Sequence, residues 1–180
     1  GLLLKIKQRE LVLEQGLTDW ITWTYDPLQR VNGVFNLHRL GATCQRYYRN
    51  VYGTMQDQLN AGTPSDRFQV DWDLNSERVS RVIATPPPKQ QTFTGQILPT
   101  TTSATGLLVP LDQALQLDGR PVAVPIPADI NWVRRQDAGL GLAWRLYSRA
   151  MFEQAFAAGY LATDCLLLDD GQWYYVLTND

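Results

Sequence analysis

The succession of a helical pattern and a strand pattern in the first 25 residues constrains the fold most. Residues 2–15 repeat apolar side chains at helical spacing, and Gly16 is expected to end this helix. After a link of three residues, the stretch 19–25 is rich in aromatic and β-branched residues, which favours a strand. A helix joined to a strand by so short a link predicts an α/β fold.

Further patterns extend this prediction along the chain. Between residues 67 and 73, apolar side chains alternate with polar ones, as in a strand with one buried face. Helices are also predicted at 31–40, 76–83 and 129–159, the last broken near Gly139 and Gly141, and strands at 42–52, 106–110, 114–117, 122–126, 161–168 and 172–177.

Composition excludes several classes of protein. An apolar fraction of 44% and a charged fraction of 19% predict a folded chain of 180 residues. A net charge of −2 argues against a nucleic-acid partner, and no apolar run is long enough to span a membrane. Two cysteines, Cys44 and Cys165, supply neither a disulfide framework nor a zinc site, so buried thiols and no metal are expected.

The chain divides at a stretch rich in proline and threonine. Residues 84–104 contain Pro86-Pro87-Pro88 and predict a stiff linker between residues 1–83 and residues 105–180. The chain opens at Gly1 inside a helical pattern, with no initiating Met or cap residue before it, which suggests a piece of a longer protein. No signal peptide precedes Gly1, so a cytoplasmic location is expected.

Several tracts within residues 1–83 resemble an uncharacterised group of predicted acetyltransferases in the GNAT superfamily. These tracts are Gln8-Arg-Glu10, Trp23-Thr-Tyr-Asp-Pro-Leu28, Asn32, Phe35-Asn-Leu-His-Arg-Leu-Gly-Ala42, Asn50-Val-Tyr-Gly53, Leu59-Asn-Ala-Gly62 and Ser65-Asp-Arg67. The resemblance implies an α/β (α+β) fold, in which residues 1–83 form the C-terminal portion of an acetyltransferase-like mixed sheet. Residues 105–180 would be an α/β extension that packs on this domain or on a second subunit, as in a homodimer.

The resemblance also implies an activity. The protein would transfer an acyl group directly from acetyl-CoA, or from a larger acyl-CoA such as succinyl-CoA, to a small-molecule amine or amino acid. The nitrogen atoms in the first turn of the first helix would hold the pyrophosphate of coenzyme A, because free N–H groups and the positive helix end attract anions. Gly1 would be the last small residue of the phosphate loop, and Leu2 and Leu3 would contribute N–H groups. Without the resemblance, the alternative is that Gly1 is an arbitrary starting point within a surface helix and has no role in binding.

Four further residues are assigned to coenzyme A by the same resemblance. Trp23 and Thr24 lie on a strand expected to diverge from a parallel neighbour and to receive pantetheine on its backbone. Asn32 and Phe35 lie on the short helix that follows. The alternatives are that Trp23 is a core residue and that Asn32 caps its helix.

Catalytic assignments are less direct, because Leu37 stands where the superfamily often carries the tyrosine that protonates the leaving thiolate. His38 is a substitute by its pKa range, although a solitary histidine beside Arg39 is more often solvated. Tyr47 and Tyr48 could supply a phenol from the next strand.

The acceptor side has one candidate residue within the chain. Asp26 follows the strand 19–25 and either binds the acceptor amine or caps the next turn. The general base is expected before Gly1. The rival hypothesis is a non-catalytic relative that binds an acyl-CoA or a protein partner, which the leucine at position 37 favours.

Overall fold

The computed structural model describes residues 1–53, 63–88 and 90–179. Within them the fold is mixed α/β, with five α-helices, one π-helical segment and a mostly antiparallel mixed sheet. The sequence tract 59–62 lies outside the described residues.

The first two elements follow the sequence prediction closely. Helix α1 spans Leu2–Gln15 and ends at Gly16, whose left-handed backbone (φ 65°) closes the last turn. Strand β1 spans Trp20–Tyr25. It pairs antiparallel with a later strand, so the parallel neighbour that was expected for it is absent from the described residues.

The predicted helix at 31–40 has an unexpected geometry. Helix α2 covers only Arg30–Gly33, and the chain continues as a π-helical segment over Val34–Arg39. The segment ends before Gly41, whose φ of 70° is left-handed. A side chain at Gly41 would also meet the backbone of Val79 at 3.2 Å, so the position requires glycine on two grounds.

The remaining elements follow in chain order and differ from the sequence prediction in several places. They are β2 at Thr43–Tyr48, β3 at Arg67–Asp73, α3 at Glu77–Ala84, β4 at Gln90–Gln91, β5 at Gln96–Ile97, β6 at Thr100–Thr102, β7 at Leu108–Pro110, β8 at Val122–Ile126, α4 at Ile130–Gln136, α5 at Ala138–Ala157, β9 at Leu161–Leu168 and β10 at Trp173–Thr178.

The first difference is that β2 ends at Tyr48 rather than at residue 52, and the second is that residues 114–117 form no strand. The third concerns the long helix, which breaks at Asp137 rather than at Gly139 or Gly141. Asp137 has an extended backbone, and its carboxylate accepts a hydrogen bond from the N–H of Leu140, which starts a new helix.

One sheet joins strands from both sides of the proline-rich stretch. Its order is β1-β3-β2-β9-β10-β8-β5, with β4 added beside β9, and a separate ribbon pairs β6 with β7. The pairs β4–β9 and β5–β8 are parallel and the other described pairs are antiparallel. Residues 84–104, predicted as a linker, therefore contribute three of these short strands.

The main core also draws on both parts of the chain. Phe68 of β3, Phe152 of α5 and Tyr175 of β10 are fully buried, and their ring centroids lie within 5.5 Å of one another. Both cysteines are buried free thiols. No helix in the described part of the chain has both the length and the apolar character that a membrane crossing needs.

Candidate functional site

The N-terminal end of α1 lies against the π-helical segment. Gly1 is the N-cap of α1 and no side chain caps it. A Cβ atom placed on Gly1 would lie 3.7 Å from the ring of Phe35. The N–H groups of Leu2 and Leu3 belong to the first turn, where an α-helix offers no internal acceptor. Gly1 and Phe35, 34 positions apart, are thus brought together by the fold.

Lys5 connects this helix end to strand β1. Its ammonium group lies 3.7 Å from the ring centroid of Trp23 and 5.6 Å from that of Trp72. Partial burial lowers the pKa of Lys5, although the aromatic faces favour its charge. The fold thus places Lys5, which is half-buried, over two tryptophans.

The other residues assigned to coenzyme A differ in exposure. Leu2 packs against the core, whereas Leu3 is 78% exposed. Trp23 packs partly in the core, edge-on to Trp72. Thr24 and Asn32 are exposed. The interpretation of Asn32 as a helix cap is wrong, because Gln29 occupies the N-cap position of α2.

The edge of β1 away from β3 is free within the described residues, since β1 is the terminal strand of the sheet. Its backbone N–H and C=O groups on that side can accept a chain-like partner. The α1 end, the ring of Phe35, Lys5 and this edge together form what we name the α1–β1 surface.

Asp26 lies just past the end of β1 and is held by two interactions. Its Oδ1 accepts a hydrogen bond from the N–H of Leu28 at 2.9 Å, which is the turn-capping role. Its Oδ2 accepts a 2.6 Å hydrogen bond from Nη2 of Arg145, whose side chain is 1% exposed. Nη2 of Arg134 is 4.0 Å from the same oxygen. Asp26 is therefore neutralised by α5 rather than presented free to an amine.

The Arg145 guanidinium is itself incompletely satisfied. Its Nε and Nη1 are buried and find no hydrogen-bond partner among the described residues. Burial disfavours the charge, but the neighbouring Asp26 carboxylate outweighs it and raises the pKa of Arg145. Arg145 stays a cation at any physiological pH.

Tyr47 belongs to a second buried network. Its hydroxyl donates to Oδ2 of Asp66 at 2.7 Å, and Arg149 donates to both Asp66 oxygens at 2.9 Å. Burial raises the pKa of Tyr47, and the nearby Arg145 offsets this only in part. A phenol that already donates to a carboxylate, and that holds its proton this firmly, is a poor acid for a thiolate.

The other acid candidates are also engaged. The hydroxyl of Tyr48 lies on the surface and donates to Oε1 of Gln69 at 2.9 Å. Leu37, in the place of the usual tyrosine, is fully buried. The buried hydroxyls of Tyr25 and Tyr175 lie 3.1 Å apart, and Tyr175 donates to the carbonyl of Pro27.

His38 is buried, contrary to the expectation that it is solvated. Its ring is 1% exposed, and Nδ1 lies 2.9 Å from Oδ1 of Asp164, while Nε2 lies 3.2 Å from the carbonyl oxygen of Pro87. Both partners are hydrogen-bond acceptors, so both ring nitrogens face an oxygen. The pair borders a cavity of about 300 Å³, whose other lining residues include Arg78 and Arg81.

Sequence reasoning missed the partners rather than the candidates. Arg145, Asp66 and Asp164 each contact a candidate residue but lie 19 to 126 positions from it, and Arg149 is linked to Tyr47 through Asp66. The spacing of Arg145 and Arg149, one helical turn apart on α5, was the only available signal. They pair with Asp26, which follows β1, and with Asp66, which precedes β3.

No metal-binding cluster of three or more His, Cys, Asp or Glu residues occurs in the described part of the chain. Comparison with known proteins adds no relative. Neither a protein-family model, nor a curated protein, nor a solved structure matches the chain.

Proposed function

We propose that the protein is an acyl-CoA-dependent N-acyltransferase, in which β1, β2 and β3 form the C-terminal portion of an acetyltransferase-like sheet. Acetyl-CoA or a larger acyl-CoA such as succinyl-CoA is the donor, and a small amine or amino acid is the acceptor. The observation that carries this proposal is the α1–β1 surface. An open helix end, an ammonium group and a free strand edge meet there.

Each part of this surface matches a part of coenzyme A. The first-turn N–H groups and the positive end of α1 suit a pyrophosphate, and the absence of a Cβ at Gly1 keeps the approach open beside Phe35. Lys5 adds a full positive charge within the same turn. The free edge of β1 suits pantetheine, whose amides alternate donors and acceptors as a strand does.

The reaction is attack of a neutral amine on the thioester carbonyl. A C–N bond forms, the C–S bond breaks, the amine loses a proton to a base, and the coenzyme A thiolate gains one. Strand N–H groups would polarise the carbonyl, and positioning would supply much of the remaining rate enhancement. A base before Gly1 stays a prediction, and His38, Tyr47 and Tyr48 are occupied by other partners.

Thiol release tests the proposal directly. The protein is mixed with acetyl-CoA or succinyl-CoA and a panel of amines and amino acids, and free coenzyme A is followed with a thiol reagent. We expect amine-dependent release with at least one donor. If no amine accelerates the release of coenzyme A, the proposed acyltransferase activity is wrong.

The donor site is tested separately by charge removal on α1. Lys5→Met removes the ammonium group over Trp23, and Lys7→Met removes a 75% exposed one on the same helix. We expect Lys5→Met to weaken coenzyme A binding about tenfold, or ~1.4 kcal/mol, and Lys7→Met to leave it unchanged. Equal affinities of the two variants, measured by calorimetry, would remove the α1–β1 surface from the proposal.

A second candidate function is non-catalytic acyl-CoA binding. It is favoured by Leu37, which is fully buried and replaces the expected acid, and by the occupied hydroxyls of Tyr47 and Tyr48. Coenzyme A binding that depends on Lys5, without turnover of any amine, would decide for this candidate.

A further inference from the structure

A second concave region lies at the opposite end of the sheet order from β1. A cavity of about 250 Å³ opens between the end of β8, helix α4 and the turn before β10. Its walls are mostly apolar and include Leu108, Ile126, Val133 and the rings of Trp132 and Trp173. A neighbouring cavity of about 210 Å³ shares Ala128 and Asp129 with it and reaches Arg30.

The two tryptophans of this cavity differ from the two in the core. Trp72 and Trp144 are fully buried, and each donates its indole N–H to a backbone carbonyl at 3.0 Å. Trp132 is 46% exposed, and neither its indole N–H nor that of Trp173 finds an acceptor within the described residues. An apolar wall with free indole donors is typical of a ligand site rather than of a packed core.

The walls are held in place without a ligand. Trp173 is paired within the sheet to Ile126 on one side and Leu167 on the other. Asp129 caps α4 through a 2.9 Å hydrogen bond to the N–H of Trp132. Gln172 accepts a 2.7 Å hydrogen bond from Thr100. A preformed cavity binds without the entropy cost of ordering its lining.

Arg30 supplies the charge that selects the ligand. Its Nε donates to the carbonyl of Ala128 at 2.8 Å, and its guanidinium carbon lies 4.4 Å from the ring centroid of Trp173. This leaves the two terminal nitrogens for a carboxylate, which a guanidinium binds in a bidentate manner. The Asp129 carboxylate is the opposing charge at this place, and its Oδ1 is already bonded to the helix end.

We propose that this cavity binds a small aromatic carboxylate, with the ring between Trp132 and Trp173 and the carboxylate on Arg30. The site is independent of the acyl transfer proposed above. Its volume suits one ring system and is too small for a coenzyme.

The test follows the indole N–H signals of the six tryptophans in nitrogen–proton correlation spectra during titration to millimolar concentrations. Three probes of equal ring size are compared, namely benzoate, benzamide and benzylamine. We expect benzoate to shift the signals of Trp132 and Trp173, with at least tenfold weaker binding of the other two. Equal binding of benzamide would contradict the role of Arg30 in binding the carboxylate. Preference for benzylamine would show that Asp129, not Arg30, selects the ligand, and no shift with any probe would show that the cavity binds none of these ligands.

Matched variants test the aromatic wall, formed by Trp132 and Trp173, separately from the charge of Arg30. Arg30→Gln is expected to weaken benzoate binding about tenfold and to abolish the preference over benzamide. Trp132→Ala is expected to lose benzoate binding, whereas Trp20→Ala, which removes a tryptophan of similar exposure (47%) from β1, is expected to retain it. Unchanged benzoate affinity in either cavity variant would contradict the proposal.

Discussion

Two arginine–carboxylate pairs of nearly equal length lie in opposite surroundings. Asp26 and Arg145 are 2.6 Å apart, with side chains 14% and 1% exposed. Arg49 and Glu153 are 2.5 Å apart, and the Arg49 side chain is 62% exposed. Both pairs connect the sheet region to helix α5, so the same helix carries one pair that water screens and one that it does not.

The comparison shows that distance alone does not measure what an ion pair contributes. In water each partner of an exposed pair is solvated almost as well when the pair is broken. In the interior, removing one partner leaves the other charged and without solvent, which is strongly destabilising. The buried networks of Asp26 and Asp66 should therefore dominate the response of the fold to mutation.

The largest effect is expected at Asp26. Asp26→Asn leaves the buried Arg145 cation without its counter-charge and should reduce the free energy of unfolding by about 3 kcal/mol, measured by urea denaturation. The double variant with Arg145→Met removes both charges and should recover part of this loss. An Asp26→Asn protein as stable as the original would contradict the comparison.

The next effect is a dependence of stability on acid pH through Asp66. Burial raises the pKa of this carboxyl, but hydrogen bonds from Arg149, Tyr47 and Asn50 outweigh it, so the folded pKa is lowered. The resulting stability is present above the unfolded pKa of about 3.9 and is lost as the pH falls through the lower folded pKa.

Denaturation midpoints between about pH 6 and pH 2 check this prediction. The original protein should lose more stability than the Asp66→Asn variant over this window. Parallel pH profiles of the two proteins would show that Asp66 does not carry the effect.

A smaller effect is expected at His38. His38→Gln can keep one of the two contacts to Asp164 and Pro87 and should cost about 1 kcal/mol. Arg39→Gln, at the neighbouring and less buried position, is the control and should leave the denaturation midpoint unchanged. A larger loss of stability in Arg39→Gln than in His38→Gln would support the solvated histidine that the sequence favoured.

The smallest effect is expected at the exposed pair. Arg49→Gln should leave the denaturation midpoint within experimental error, since water replaces the bond to Glu153. A loss comparable to that of Asp26→Asn would remove the distinction between the two pairs.

Sequence patterns predicted secondary structure correctly where it depends on residues that are close together in the sequence. The alternation at 67–73 predicted β3 to the residue, and Gly16 ended α1 as expected. The patterns did not predict strands that form only through contacts with residues far away in the sequence. Residues 90–91 and 96–97 are polar or short, and they become strands only because β9 and β8 offer them an edge.

The candidate site divides in the same way. The residues Gly1, Trp23, Asn32, Phe35 and His38 could be proposed from tracts of sequence, but their surroundings could not. A histidine beside Arg39 looks solvated until β9 brings Asp164 to 2.9 Å from it. An aspartate after a strand looks available until α5 brings in Arg145.

The sequence by itself determined the helix α1, the strands β1, β3, β8 and β9, and the buried face of β3, because periodicity depends only on adjacent residues. Only the tertiary structure decided which charges are free. Asp26 and Arg145 are 119 positions apart, and His38 and Asp164 are 126 apart. Such pairs form when the sheet closes across the proline-rich stretch, and a pattern within one segment carries no information about a partner in another.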